Sequence, residues 1–272
     1  MGLEETKHIL RRFRIVPNKL LGQNFMVEPS VFPKLCEYAC LGKEDVVLDA
    51  GAGFGFLTRF LAYRCKAVVA VEKDPRVALV LREQVQGYVN VTVVQDDVLK
   101  AELPAFNKVI AFPPYYLSSR LVVWLLQRQT DCSVLILQKE FGDRLLAPVG
   151  TENYGWLTVI SFHDAQVELL DVVPRAVFYP QPPVDSVIVR LTPWKAAPFE
   201  VKDAKFFNLL VRWLFTQRNR KLSNSLAPFV RSMFKMGKKE AEKLARDVPF
   251  VNRRARDLSP GEFGELANVL AK

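Results

Sequence analysis

The sequence has few of the residues that mark secreted, membrane-spanning or metal-binding proteins. Its 272 residues include only four cysteines and two histidines, and no cluster of the two completes a metal site. The scattered cysteines favour free buried thiols in a reducing compartment: Cys36, Cys40, Cys65 and Cys132. No apolar run approaches the roughly 18 to 20 residues that cross a bilayer. The acidic segment 1–5 lacks the apolar core of a secretory signal, so a cytoplasmic protein without a metal is predicted.

Apolar residues make up 50% of the chain, which is enough for a packed core and excludes disorder. The charge is uneven, because residues 195–272 carry 17 Lys and Arg against 8 Asp and Glu and so account for the whole formal charge of +9. The N-terminal arm has a basic cluster of its own: Lys7, Arg11, Arg12, Arg14 and Lys19. Basic residues at both ends of a neutral core favour binding of a polyanion, and a solvated surface is the alternative.

Short β-rich runs alternate with helical stretches through the first two-thirds of the chain. Strands are predicted at 46–49, 67–71, 91–94, 108–111, 133–137 and 187–191, and helices at 56–65, 75–86 and 118–129. This alternation predicts a parallel sheet covered by helices on both faces. Beyond Pro193 the pattern is helical only, at 206–216, 225–234, 238–246 and 261–271. Two domains are therefore predicted, 1–194 for catalysis and 195–272 as a basic helical domain.

A glycine-rich turn, residues 49–55, follows the first strong strand and opens a helix. Glycines let the backbone turn tightly and let a ligand approach the free amides of the helix N-terminus. Glu72 ends the next strand about 20 residues after Gly51, where an acid would chelate ribose hydroxyls. Asp97, after the third strand, would accept a hydrogen bond from an adenine amino group. These features fit any cofactor that contains adenosine.

Two features favour S-adenosylmethionine over NAD. Asp49 opens the glycine turn, and the fourth strand leads into Phe112-Pro113-Pro114-Tyr115, which resembles the tetrapeptide that holds the target nitrogen in amino-group methyltransferases. Since proline has no amide proton, the prolines present carbonyls without competing donors, and the Pro113 carbonyl is the candidate acceptor. Tyr115 would stack on an extruded base, a contact worth about 1–3 kcal/mol.

Further motifs occur in the order found in one enzyme family. They are Gly22-Gln23-Asn24-Phe25, Gln138-Lys139-Glu140, Arg144-Leu145, Asn153-Tyr154-Gly155, Val173-Pro174, Phe178, Pro180, Pro182-Pro183-Val184, Ser186, Phe215, Gln217-Arg218 and Lys221-Leu222. With them the chain resembles the ribosomal RNA adenine dimethyltransferases, of the archaeal type, that act near the 3′ end of small-subunit RNA. It also resembles their relatives that methylate large-subunit RNA. The match runs from about Lys19 to about Leu191 and continues more loosely into the helical tail.

The resemblance implies a class I methyltransferase fold, a Rossmann-like α/β core with a seven-stranded, mostly parallel sheet and a small C-terminal helical domain. It implies dimethylation of the exocyclic amines of adjacent adenosines by a monomer that uses S-adenosylmethionine and serves ribosome biogenesis. The implied cofactor contacts are Gln23, Asn24, Met26, Gly51, Gly53, Glu72, Lys73, Asp97, Val98 and Phe112. The implied catalytic turn is Phe112, Pro113, Pro114 and Tyr115.

Phe112 departs from the family, which normally has Asn or Asp at this position. A side-chain acceptor lost from a preorganised site typically costs about 10²–10³ in rate. Asn24 would replace the missing acceptor in one interpretation. In a second, methylation is slow or stops at one methyl group, and in a third the protein is an RNA-binding assembly factor. Phe112 would also hold the base by stacking without polarising it.

The predicted phosphate contacts are Arg11 and Arg12 in the arm and Arg218, Arg220, Lys221, Arg253, Arg254 and Arg256 in the tail. A large-subunit rRNA methyltransferase remains an alternative. An organellar transcription factor is disfavoured because the chain begins without a transit peptide, and a protein methyltransferase because both ends are basic. His8 in the arm and His163 in a predicted strand region are interpreted as structural, and Tyr116 either lines the target pocket or packs.

Overall fold

The computed structural model describes residues 2–18 and 21–271, so Lys19 of the basic arm lies outside the described residues. The chain divides into two compact units, Met1–Gly142 with Gln166–Pro193, and Asp143–Ala165 with Trp194–Lys272. The segment Asp143–Ala165, which the sequence places in the first domain, therefore belongs to the second unit. Local patterns do not reveal this, because the helix in that segment is buried by residues far along the chain.

The first unit is built on a seven-stranded sheet with the order β4-β3-β2-β5-β6-β9-β7. The five strands from β4 to β6 in this order are parallel, and β9 runs antiparallel to β6. This confirms the predicted mostly parallel sheet. The strands are β1 Phe25–Met26, β2 Val46–Ala50, β3 Ala67–Val71, β4 Val91–Val94, β5 Lys108–Ala111, β6 Cys132–Gln138, β7 Ala165–Val173, β8 Phe178–Tyr179 and β9 Ser186–Pro193.

The helices follow from local start signals and apolar faces. Asp74, for example, caps the helix that begins at Pro75, and its side chain accepts a hydrogen bond from the Arg76 amide. The helices of the described residues are α1 Leu3–Arg12, α2 Val31–Tyr38, α3 Phe56–Ala62, α4 Pro75–Val85, α5 Ser118–Leu126, α6 Lys139–Leu145, α7 Trp156–Asp164, α8 Ala204–Thr216, α9 Leu222–Phe234, α10 Lys238–Arg246 and α11 Pro260–Leu270. No helix within 2–18 and 21–271 has the length and apolar character to span a membrane.

A two-stranded antiparallel ribbon, which the sequence does not predict, lies beside the main sheet. It pairs β1 with β8, Phe25 opposite Tyr179 and Met26 opposite Phe178. Phe25, Met26 and Phe178 are buried in the same apolar cluster as Ile9 and Leu10 of α1. The ribbon therefore anchors both the N-terminal arm and the proline-rich segment to the first unit.

The second unit is helical. Ser259 and Glu262 form a capping box at the start of α11, and Asp203 caps α8. The Tyr154 hydroxyl is buried and donates to the Leu258 carbonyl at 2.7 Å, which ties segment 143–165 to the tail. His163 lies in α7, so its predicted strand environment is wrong: residues 156–164 are helical because the apolar residues pack as a helix against α8.

Candidate functional site

A pocket of about 840 Å³, including its open mouth, lies at the carboxyl ends of β2, β3 and β5 in the first unit. Neighbouring strands β2 and β5 are where the strand order reverses, which is where open parallel sheets bind ligands. The pocket is lined by Leu21, Gly22, Gln23, Asn24, Phe25, Met26, Phe32, Leu35, Asp49, Gly51, Ala52, Gly53, Phe54, Phe56, Leu57, Glu72, Lys73, Asp74, Phe112, Pro114 and Tyr116.

The glycine turn after β2 brings the backbone close to the turn after β5. Gly51 has φ 84, and a Cβ at this position would lie 2.9 Å from Cδ of Pro114. Gly22 meets the same proline from the other side, since its Cβ would lie 3.2 Å from Cβ of Pro114. Side chains at Gly22 or Gly51 would thus push the two turns apart. Only glycine combines these contacts with a left-handed backbone at low cost.

Glu72 forms an acidic wall of the pocket just after β3. Its carboxylate accepts hydrogen bonds from the backbone amides of Gly53 at 3.0 Å and Asp74 at 2.9 Å. Burial raises the pKa of Glu72, while these backbone hydrogen bonds act in the opposite direction and favour the ionised form. The two bonds fix the carboxylate relative to the glycine turn.

Asp74 is almost fully buried and links the N-terminal segment to the acidic wall. Gln23 donates from Nε2 to Asp74 Oδ2 at 2.9 Å, and its Oε1 accepts from the Asn18 amide at 2.8 Å. Burial acts to raise the pKa of Asp74, but hydrogen bonds from Arg76 and Gln23 outweigh it and the pKa is lowered. The sequence analysis missed Asp74, although the Asp74-Pro75 pair is a helix-start signal beside Glu72.

Asp49, the last acidic residue before the glycine turn, is only 1% exposed. Its Oδ2 accepts a hydrogen bond from the Thr58 hydroxyl at 2.7 Å. Burial raises the pKa of Asp49 from 3.8 to about 7, and nearby Glu72 adds to the rise. Near neutral pH this carboxyl is therefore divided between its protonated and ionised forms.

The turn after β5 places an aromatic group where the family has an amide. Phe112 stacks on Phe178 with ring centroids 4.5 Å apart and meets the ring of Tyr115 edge-on at 5.8 Å. The Tyr115 hydroxyl bonds to Ser186 Oγ at 2.7 Å, and burial raises the pKa of Tyr115. The Pro114 carbonyl accepts from the Leu117 amide at 2.9 Å. Within the described part of the chain the Pro113 carbonyl has no hydrogen-bond partner.

The remaining predicted site residues lie at different distances from the pocket. Asn24 and Met26 line it, and Asn24 Nδ2 donates to the Gly22 carbonyl at 3.3 Å. Asp97 and Val98 do not line it, and Val98 is buried. Asp97 connects to the pocket through Lys73, whose Nζ lies 3.2 Å from Asp97 Oδ2. Tyr116, 49% exposed, is among the residues that line the pocket, and its role in target binding stays a prediction.

Three of the predicted tail cations are engaged within the second unit. Arg218 donates to the carbonyls of Thr151 and Glu152, at 2.9 and 2.8 Å. Arg253 pairs with Glu262 and also bonds to the Asp257 carbonyl, and Arg256 lies 3.6 Å from the Asp257 carboxylate. These three guanidinium groups therefore hold the segments of the second unit together.

The other predicted cations are less constrained. Among the described residues Arg220 bonds only to Gln217 of the preceding turn, at 3.1 Å, while Lys221 and Arg254 are exposed. In the first unit Arg12 pairs with Glu83 at 2.8 Å, and Arg11 bonds to a carbonyl of its own helix. Sequence counting does not separate these cations from the engaged ones, because their residue types are the same.

Comparison with known proteins places this geometry in a family. The family model described as ribosomal RNA adenine dimethylase matches residues 16–271. A probable ribosomal RNA small subunit methyltransferase A from Methanosarcina acetivorans is 36% identical over 266 residues, 97% of this chain and 97% of the relative. The ribosomal RNA small subunit methyltransferase A of Bacillus cereus is 37% identical over 278 residues, 97% and 95% of the two chains.

Two solved structures share the architecture. A dimethyladenosine transferase from Plasmodium falciparum has a TM-score of 0.73 at 28% identity and covers 88% of this chain and 94% of its own. The 23S rRNA methyltransferase ErmE has a TM-score of 0.65 at 29% identity, over 92% and 100% of the two chains. These likenesses confirm the class I methyltransferase fold. The protein belongs to the ribosomal RNA adenine dimethylase family, as its sequence motifs predict.

Proposed function

We propose that the protein transfers methyl groups from S-adenosylmethionine to the exocyclic amines of adjacent adenosines near the 3′ end of small-subunit rRNA. One observation carries the proposal. Phe112 and Pro114 belong to the turn 112–115 after β5, which we call the target turn, and they line the same pocket as Gly51 and Glu72. The relatives named small subunit methyltransferase A, matched almost end to end, support small-subunit rRNA as the substrate. The protein would act as a cytoplasmic monomer in ribosome biogenesis.

The pocket residues fit S-adenosylmethionine. Glu72 presents a carboxylate fixed by two backbone amides, which suits a ribose diol, and Gly51 lets the glycine turn lie against Pro114. Asp74, whose pKa is lowered, and the ionised fraction of Asp49 add negative charge beside a cofactor whose sulfonium and ammonium groups are positive. When bound, this cofactor supplies an already activated methyl group, so the protein acts mainly through position and electrostatics. Further proposed contacts are Gln23, Asn24, Met26, Gly53, Lys73, Asp97, Val98 and Phe112.

The target amine is proposed to donate to the Pro113 carbonyl. An adenine amine is a poor nucleophile because its lone pair is delocalised into the ring, and acceptors on its protons favour a pyramidal nitrogen. Tyr115, held by Ser186 and by the Phe112 ring, would stack on the base. Asn24 is the candidate second acceptor, because its amide nitrogen donates to the Gly22 carbonyl and its side-chain oxygen accepts no hydrogen bond from the described residues.

Phe112 sets the expected rate rather than the type of reaction. Its ring is fixed against Phe178, so it offers the base an apolar contact and no acceptor. If Asn24 does not replace the acceptor, the rate is lower by about 10²–10³ than with an amide at position 112. The product would then include monomethyladenosine, and in the limiting case the protein would act as an RNA-binding assembly factor.

The decisive experiment offers undermethylated small-subunit particles and labelled S-adenosylmethionine to the protein, with modified nucleosides identified by mass spectrometry. Dimethyladenosine is the expected product. Glu72→Gln, which keeps the side-chain shape but removes the charge, should lose cofactor affinity. Lys66→Ala is the control and should not, because Lys66 lies at the amino end of β3, away from the pocket. Cofactor binding without transfer to any particle would contradict the enzymatic proposal.

A large-subunit rRNA methyltransferase is the second candidate, favoured by the TM-score of 0.65 to the 23S rRNA methyltransferase ErmE. The same assay with large-subunit rRNA separates the two functions. Label found only in large-subunit RNA would replace the first proposal.

Exposed cations without strong protein partners are proposed to contact RNA phosphates: Arg11, Arg220, Lys221 and Arg254. Arg12, Arg218, Arg253 and Arg256 stay candidates, but each would have to share its guanidinium with a partner inside the protein.

A further inference from the structure

A second concave surface of the first unit lies between the N-terminal helix and the ribbon. We call it the arm groove, and it is lined by Lys7, Leu10, Arg11, Arg14, Val16 and Tyr179, with Glu4 and two further residues of the arm. Lys7 and Arg11 are four residues apart and so share one side of α1, and Arg14, two residues beyond the end of the helix, lines the same groove. The buried residues of α1, Thr6, Ile9 and Leu10, hold the helix against the core.

The cations of the arm groove are available for a ligand. Arg14 is exposed, and its side chain has no polar partner within residues 2–18 and 21–271. In the part of the chain that the structure describes, the Arg11 side chain bonds only to the Lys7 carbonyl of its own helix, at 3.3 Å. Lys7 lies 2.9 Å from Glu4, but both side chains are exposed and such pairs are weak. Three cations therefore face one acid in this groove.

Arg14 has a left-handed backbone, φ 52, which glycine or asparagine would adopt at lower cost. The conformation is held by neighbouring contacts, since the Ile15 amide donates to the Leu10 carbonyl at 2.9 Å and Ile15 is buried. This is the usual way in which a helix ends, and it leaves the exposed Arg14 guanidinium at the groove.

The ribbon connects the arm groove to the target turn. Phe178 and Tyr179 are consecutive in β8, so their side chains leave the strand on opposite faces. Phe178 stacks on Phe112 of the pocket, whereas Tyr179 borders the groove with Lys7 Nζ 6.0 Å above its ring. The groove and the target turn are therefore bordered by consecutive residues of one strand, on its two faces.

We propose that the arm groove binds the RNA strand next to the target adenosine, with phosphates on Lys7, Arg11 and Arg14 and a neighbouring base or ribose on Tyr179. The proposal rests on the proposed function, because it assumes that an adenosine enters the adjacent pocket. Cations interleaved with an aromatic ring suit single-stranded RNA, since phosphates take the charges and every base has a face to stack. An acidic peptide would use the cations but would not need the link to the target turn.

The test compares Arg11→Ala/Arg14→Ala with the wild type in binding to a hairpin fragment from the 3′ end of small-subunit rRNA at several salt concentrations. Loss of two contacts to single-stranded RNA should reduce the slope of log affinity against log salt by about 1.4. Cofactor affinity should be unchanged. Arg14→Lys, which keeps the charge, should retain the wild-type slope, and Lys66→Ala serves as the matched control because Lys66 precedes the amino end of β3.

A second pair of variants tests the aromatic contact. Tyr179→Phe should keep RNA affinity, and Tyr179→Leu, which retains apolar packing, should lose about five-fold or more. Thermal unfolding of each variant shows whether it is folded. If the double variant has the same salt slope as the wild type, and the wild type still methylates rRNA, the arm groove does not bind RNA and the proposed function is unaffected. If the wild-type protein neither binds nor methylates rRNA, both the groove proposal and the proposed function are wrong. If the double variant loses binding to polyglutamate but not to rRNA, the groove binds an acidic protein instead.

Discussion

Replacing Phe112 by asparagine tests how much the missing acceptor limits the reaction, at a stability cost that follows from its contacts. The ring stacks on Phe178 at 4.5 Å and meets Tyr115 edge-on at 5.8 Å. Aromatic pairs contribute about 0.5–1.5 kcal/mol each beyond burial, so the two lost ring contacts alone should destabilise Phe112→Asn by about 1–3 kcal/mol, and the lost burial of the half-buried ring adds to this. A domain stable by about 5–15 kcal/mol stays folded after such a loss.

The same substitution should raise the rate of methyl transfer, because the loss in stability does not unfold the protein. An amide oxygen at position 112 would add a preorganised acceptor for the target amine beside the Pro113 carbonyl. By analogy with oxyanion-hole groups, one such acceptor changes kcat by about 10²–10³. Phe112→Asn should therefore methylate adenosine faster and shift the product towards dimethyladenosine, although its melting temperature falls.

Phe112→Leu is the control, because leucine loses both ring contacts without adding an acceptor. The leucine variant keeps an apolar side chain in the same cluster and should be destabilised less than the asparagine variant in thermal unfolding. Only the asparagine variant should gain rate in the particle assay with nucleosides separated by mass spectrometry. If Phe112→Asn is no faster than Phe112→Leu and gives the same product, the acceptor at position 112 does not limit methylation. Asn24 would then be the next residue to replace.

Three further predictions concern stability and binding. Burial raises the pKa of Asp49 to about 7, so between about pH 4 and pH 7 this carboxyl is more protonated in the folded than in the unfolded protein. The free energy of unfolding should therefore fall as the pH rises from about 4 to about 7, by on the order of 4 kcal/mol. Asp49→Asn, which can still accept from the neighbouring threonine, should lose this dependence in denaturant unfolding at pH 5 and pH 8; an unchanged dependence would refute the assignment. Gly51→Ala should weaken cofactor binding in calorimetry at least about ten-fold, since its Cβ would lie 2.9 Å from Pro114. Gly150→Ala is the control, because Gly150 has the same φ of 84 but no atom within 4 Å of the added Cβ, so this variant shows the effect of backbone strain alone. Arg253→Ala should destabilise the protein by about 1–3 kcal/mol, because it removes the ion pair with Glu262. Arg254→Ala should weaken RNA binding and leave the melting temperature unchanged. If instead Arg254→Ala lowers the melting temperature and Arg253→Ala does not, the division between structural and RNA-binding arginines is wrong.

The central strands were predictable because strands buried on both faces are continuous apolar runs. Lys108–Ala111, for example, is buried at all four positions and has the predicted bounds. The ribbon was not predictable, since two-residue strands carry no periodic signal. Its partners Phe25 and Tyr179 also lie far apart in the sequence. The ribbon matters for function, because it places Phe178 against Phe112.

The location of the pocket that we propose for the cofactor follows from the way in which parallel strands end at one side of their sheet. The glycine turn, Glu72 and the target turn all follow such strands, and the sheet order makes β2 the neighbour of both β3 and β5. The finer selection of residues was not predictable. Asp74 lines the pocket while Asp97 does not, because the helix that Asp74 caps begins directly at the pocket.

The fate of the tail cations shows what charge counting omits. A guanidinium has five donors, and in Arg218 and Arg253 some of them are used by carbonyl and carboxylate oxygens of the same unit. Such a group contributes to folding whether or not RNA is bound, and only its remaining donors can reach a phosphate. The salt dependence of RNA binding should therefore be smaller than the number of basic residues in 195–272 implies, because counterion release counts phosphates neutralised rather than cations present.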